Sequence, residues 1–190
     1  MRELYEAMWR ENVNRPGVEE FLNWLATTDF YTAPASSKHH LAHEGGLVEH
    51  SINVVTALRD RVRAGGILVP MDSMVVCGLG HDLCKANYYT VEYRNRKNKQ
   101  CQWEQYPFYA VKEKFPCGHG EKSVILLLQF MKLEPEEMLA IRWHMGGFEP
   151  KDYAGSQAMS AAMASHPLVV LLHLADMEAT YIKEAATIGA

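Results

Sequence analysis

The feature that most constrains this chain is an apolar run, Met74-Val75-Val76-Cys77-Gly78-Leu79, that gives way to His81-Asp82-Leu83-Cys84-Lys85. The run predicts a helix opened by Pro70 and Met71, with three polar groups inside a turn and a half at its end. At about 100° per residue, His81 and Asp82 project from adjacent faces. Lys85 returns beside them, four residues after His81 and three after Asp82. A divalent metal can take the imidazole and the carboxylate from one helix end, and the ammonium can hold an anion against that metal. On its own the pentapeptide suits a surface helix terminus equally well, so the rest of the chain has to decide between the two.

A chain of 190 residues, 48% of them hydrophobic, suits one domain (residues 1–190) with a full-sized core and argues against disorder. Its net charge of −4 argues against stable nucleic-acid binding through overall charge, although a local basic patch remains compatible with it. The four cysteines, Cys77, Cys84, Cys101 and Cys117, form no CxxC pair, and they read as reduced thiols. The first residues, MRELYEAMWREN, carry no apolar signal segment. No run approaches the roughly 20 apolar residues of a membrane span. The expected location is cytoplasmic.

Taken in order, residues 3–13 and Val18–Ala26 predict two short helices, the second with Phe21, Leu22, Trp24 and Leu25 for the core. Gly45-Gly46 permits a tight entry into a helix from about Leu47 to Arg63, which should stop at Gly65-Gly66. Its apolar stripe is Leu47, Val54, Leu58 and Val62, and His50 sits in that stripe. After the His-Asp helix, residues 88–94 and 102–106 are aromatic and β-prone. They predict a hairpin with a basic tip over 95–100. The hairpin is either a solvated cover or a flap bringing Arg94, Arg96 or Lys97 to an anionic substrate.

The next predicted helix runs from Glu121 to Met131, with His119 at or just before its start. There the helix dipole should keep the imidazole neutral. Pro135, Glu136 and Glu137 open another, with His144 in its last turn. A short helix over Gln157–Ala164 precedes the last long one, from Ser165-His166-Pro167 to about Glu184. That last helix is apolar all round over Leu168–Leu174 apart from His173, which marks it as central. Asp176 lies in its middle, where a buried carboxylate needs a cation.

The placed residues are therefore His50, His81-Asp82, His119, His144 and Asp176, each on a helix or at a helix end. Together they offer four imidazoles and two carboxylates. One metal needs about four such ligands, and two metals sharing Asp82 need about six. Nitrogen and oxygen ligands without thiolate favour iron, manganese, zinc, nickel or cobalt over a cysteine zinc site.

Here the chain resembles the HD superfamily of metal-dependent phosphohydrolases. The resemblance rests on His50 within GGLVEHS, His81-Asp82 within HDLCK, and Asp176 after LLHLA. His119 and His144 fall where binuclear members of the superfamily add two histidines. It covers about residues 30–184 and implies an all-α helical bundle with the hairpin as a small insertion. It also implies two divalent ions (Fe, Mn, Ni, Zn or Mg) on His50, His81, Asp82, His119, His144 and Asp176. The implied activity is hydrolysis of a phosphomonoester or phosphodiester, a nucleotide or a related compound.

In that reading Asp82 bridges the ions, and Lys85 neutralises charge on the phosphoryl group. His40, Lys85 and Arg94 contact substrate. The leaving group's proton comes from Glu44, His40 or His173. The expected partner is a small anionic phosphoester or nucleotide, and a homodimer is left open. The alternative is a diiron HD-type oxygenase resembling myo-inositol oxygenase, which uses the same six ligands and also keeps a lysine after the His-Asp pair. A third reading is a non-catalytic scaffold, in which the ligands would have been lost.

Overall fold

Helix α3, Gly46–Gly65, is the element against which α1, α4 and α8 pack. The computed structural model describes residues 1–149 and 152–187. Before α3 come α1 (Arg2–Asn12) and α2 (Val18–Leu25). After it come α4 (Met71–Gly80), strands β1 (Tyr89–Lys97) and β2 (Trp103–Val111), α5 (His119–Leu128), α6 (Pro135–Trp143), α7 (Tyr153–Ser165) and α8 (Pro167–Glu178). The described chain is thus mainly helical, with one two-stranded antiparallel sheet. No single helix is long and apolar enough to cross a membrane.

The expected stripe of α3, Leu47, Val54, Leu58 and Val62, is buried, and so are Val48, Ile52 and Val55. An α3 buried on more than one face is what brings His50 into the interior. Gly78 lets α4 approach: a Cβ there would lie 2.5 Å from the Val55 side chain. The core extends beyond the span of the family resemblance into α1 and α2. Tyr5, Trp9 and Phe21 are fully buried, and the Tyr5 hydroxyl donates to the Leu79 carbonyl at 3.0 Å, two residues before His81. Trp24 is half-buried rather than in the core, stacked on Phe130 at 5.2 Å.

Four elements depart from the sequence reading. The hairpin is longer, pairing Tyr89 with Val111 through to Lys97 with Trp103. Cations lie over cross-strand rings along the ladder: Arg94 over Phe108 at 3.7 Å and, among residues that read as a tip, Arg96 over Tyr106 at 4.5 Å and Lys97 over Trp103 at 5.4 Å. Helix α5 begins at His119 itself and ends three residues early. Helix α7 starts at Tyr153 because the Asp152 carboxylate caps it, accepting from the Gly155 N–H at 2.7 Å.

Helix α8 keeps regular winding only to Glu178, then widens into a π-helical turn, Ala179–Lys183. It is also one-sided rather than surrounded: Leu168, Val169, Leu171, Leu172 and Ala175 are buried, but Leu174 is exposed. Periodicity cannot distinguish a helix buried all round from one whose outer face carries an exposed leucine.

Candidate metal centre

His81 and His144 occupy equivalent places, each the first residue past the end of a helix, α4 and α6. The last carbonyls of a helix lack intrahelical partners. Each imidazole uses one of them. His81 Nδ1 donates to the Gly78 carbonyl at 2.9 Å, and His144 Nδ1 donates to the Ile141 carbonyl at 2.7 Å. A carbonyl can only accept, so Nδ1 carries the proton and the Nε2 lone pair faces inward. Both rings are fully buried, and neither Nε2 has a hydrogen-bond partner.

Both lone pairs face Asp82. Its Oδ2 lies 3.6 Å from His81 Nε2 and 3.8 Å from His50 Nε2, and its Oδ1 lies 3.6 Å from His144 Nε2. These separations exceed hydrogen-bond reach. Two direct bonds do form: Lys85 Nζ donates to Oδ2 at 2.6 Å, and His119 Nε2 meets Oδ1 at 2.7 Å. Burial disfavours the Asp82 carboxylate, but Lys85 and the imidazoles outweigh it and hold its pKa well below the usual range. The second carboxylate, Asp176 on α8, lies 3.2 Å from His50 Nε2. The cation that the sequence reading sought for Asp176 is thus an imidazole. Burial, which alone would lower the His50 pKa, is outweighed by Asp176 and Glu184, which raise it to about 9. Burial together with neighbouring His144 and His50 pushes His81 down to about 3.

All six residues expected as ligands therefore meet in one place, from α3, α4, α5, α6 and α8. The arrangement resolves into four overlapping triads, in each of which the ligand atoms lie within 4.8 Å of one another: His40-His50-Glu184, His50-His81-Asp176, His81-Asp82-His144 and Asp82-Cys84-His119. Donors around one ion at about 2.1 Å sit roughly 3 to 3.5 Å apart, so the 3.2–3.8 Å spacings need little adjustment. The orphaned Nε2 atoms and these spacings show that the buried His, Asp and Cys groups can hold metal ions.

A cavity of about 470 Å³ opens onto the cluster. His40, His50, Asp82, Lys85, His119 and Asp176 line it, with Tyr89, Phe148 and Tyr181 among its walls. Lys85 also donates to the Ala35 carbonyl at 2.7 Å, and Asp82 keeps it cationic despite burial. His40 stacks on His50 at a centroid distance of 4.8 Å, and neither of its ring nitrogens has a hydrogen-bond partner. Burial, with His50 and Lys85 nearby, lowers its pKa to about 4, so it is neutral.

Three expected contacts lie elsewhere. Arg94 is exposed on the hairpin and borders a separate cleft with Lys38 and Ala42. It is held there by its stacking on Phe108, a cross-strand contact that strand-length reading overlooked. Glu44 borders another cleft, beside Asp29 and Tyr109. His173 donates to the His144 carbonyl at 2.7 Å and does not line the cavity.

Two participants went unread in the sequence. Cys84, whose thiol burial pushes up to about 12, lies 3.4 Å from His119 Nδ1. Glu184 is buried behind His50. The HDLCK context carried a signal for the cysteine, which sits one residue before Lys85. Nothing in the order of residues marked Glu184.

Comparison of the chain with protein-family models, with curated proteins and with solved structures gives no match.

Proposed function

We propose that this is an HD-type, metal-dependent phosphohydrolase that takes a small anionic phosphoester, a nucleotide or a related compound. The observation that carries this reading is the meeting of His50, His81, Asp82, His119, His144 and Asp176 around desolvated, unpartnered imidazole nitrogens. Six nitrogen and oxygen donors are enough for two ions sharing Asp82. Divalent ions bound there would supply Lewis acidity and a hydroxide at neutral pH.

The protein's own groups have clear tasks. Asp82 holds the centre of the ligand set, and Lys85 fixes that carboxylate while offsetting its charge. As a permanent cation lining the cavity, Lys85 also attracts a phosphoryl group. His40 is neutral and has no protein partner, so its N–H can donate to a phosphoryl or leaving-group oxygen. Of the three candidate proton donors it alone lines the cavity. Tyr89, Phe148 and Tyr181 give the cavity an aromatic wall. Arg94 takes part only with a substrate that extends past the cavity towards the hairpin.

The test is metal analysis of the purified protein, followed by turnover of a phosphomonoester, phosphodiester and nucleotide panel in the presence and absence of oxygen. Metal-dependent hydrolysis without oxygen is the expected result, releasing phosphate from a monoester or a monoester from a diester. Oxygen uptake with a mixed-valent iron spectrum would establish the oxygenase alternative instead. Failure to bind any divalent metal would overturn both.

A further inference from the structure

The orientation of His50 rests on a carboxylate outside the six residues expected as ligands. Glu184 follows the π-helical turn at the end of α8 and is 3% exposed. Both of its oxygens lie 3.1 Å from His50 Nδ1, and Oε1 also accepts from the Asn53 side chain at 2.9 Å. Its Oε2 is 3.9 Å from His40 Nε2. Asp176 approaches the opposite nitrogen of the same ring, Nε2, at 3.2 Å.

Asp176 and Glu184 are eight residues apart. In an uninterrupted α-helix they would be separated by about 12 Å along the axis and about 80° around it. The π-helical turn changes that relation, and Glu184 itself leaves helical geometry at φ −101°, ψ 6°. One stretch of chain thus grips one imidazole from both sides. Irregular turns of this kind are frequent at functional sites.

We propose that Glu184 is a positioning residue for the metal centre: it holds the proton of His50 on Nδ1, which leaves Nε2 as a ligand. A carboxylate that accepts the second N–H of a ligating histidine fixes the ring and raises its basicity. His81 and His144 receive the same service from backbone carbonyls, which no side-chain substitution removes. His50 is the fifth residue of α3, past its first turn, where the carbonyls are used by the helix, and it needs a side chain instead. This role rests on the metal-binding reading of the site.

The experiment is titration calorimetry of Mn(II) into wild type, Glu184→Gln and Glu184→Ala, with a thermal melt of each protein without metal. Glu184→Gln keeps an acceptor for Nδ1–H but loses the charge, and it should weaken binding about 10-fold. Glu184→Ala should weaken it about 100-fold. Equal affinities in all three proteins would overturn the role of Glu184 and leave the metal centre standing. No Mn(II) binding by wild type would overturn the metal centre itself. If Glu184→Ala does not fold, the isosteric Glu184→Gln decides: unchanged affinity refutes the proposal, and weakened affinity with an unchanged melt supports it.

Discussion

The carboxylate of Glu137 and that of Asp82 are both buried in the same hydrophobic core, and they are surrounded very differently. Glu137 meets four donors. Its Oε1 accepts from Arg15 at 2.6 Å and Ser73 at 2.6 Å, and its Oε2 accepts from Arg15 at 2.7 Å and the Glu134 N–H at 2.9 Å. Arg15 also reaches Asp72 at 2.8 Å, so the group joins α4 and α6 to the α1–α2 connection. Around Asp82, by contrast, imidazole nitrogens on His81 and His144 stay unpartnered although buried. A desolvated polar atom left without a partner costs about 1–3 kcal/mol. The first cluster is closed and serves the fold. The second is open, and the protein tolerates the cost where a ligand can recover it.

The largest effects should separate the two clusters by what they damage. Asp82→Asn should lower metal-dependent turnover by about 10³-fold, equivalent to about 4 kcal/mol of transition-state stabilisation. Full turnover in that variant would remove the site assignment. Glu137→Ala should do the converse, destabilising the fold by about 3 kcal/mol in urea unfolding because Arg15 and Ser73 lose a buried acceptor. Turnover per folded molecule should be unchanged there. A loss of turnover matched to that of Asp82→Asn would erase the distinction.

Metal should stabilise only through the open cluster. Mn(II) at about 100 times its dissociation constant should add about 2.7 kcal/mol, or roughly 5–10 °C in Tm for a chain of this size. Glu137→Ala should keep that increment and Asp82→Asn should lose most of it. An equal increment in both variants would place the ion elsewhere.

Proton linkage should pull the clusters apart more gently. Burial of Glu137 disfavours its charge, but Arg15, Ser73 and the Glu134 N–H outweigh that and hold its pKa below 4.5. Its contribution is therefore full above the unfolded value and lost as pH falls through the folded one. In the metal-free protein His50 has the opposite sign. With a pKa raised to about 9, its contribution is full below 6.5 and lost as pH rises through 9. Melts from pH 3 to 10 should show an acid limb that flattens in Glu137→Gln and an alkaline limb that flattens when metal occupies His50. The smallest effect belongs to Arg94→Ala. This exposed residue should change stability by less than about 0.5 kcal/mol, and it should leave KM for a small phosphoester unchanged.

Much of the site could be read from residue order because helix ends announce themselves. Gly45-Gly46, Pro70 and Pro135 mark where helices begin, and polar residues ending apolar runs mark where side chains leave the core. That was enough to single out His50, His81, Asp82, His119, His144 and Asp176. The length of the hairpin was not legible because the basic stretch with Arg96 and Lys97 reads as a turn unless one knows which rings lie across the strand. Glu184 was missed because the end of α8 looks regular in sequence, and helical spacing turns that residue away from Asp176.

Local chemistry along the chain is sufficient to say which groups have to be reconciled with a buried position: an imidazole in an apolar stripe and a carboxylate in a central helix both demand partners. Which partners they find depends on contacts between elements far apart in sequence. Gly78 admits α4 against α3, and the widened turn after α8 brings Glu184 behind His50. Folding satisfies one buried carboxylate completely and leaves another facing unpaired nitrogens. That difference depends on distances between side chains that only packing sets.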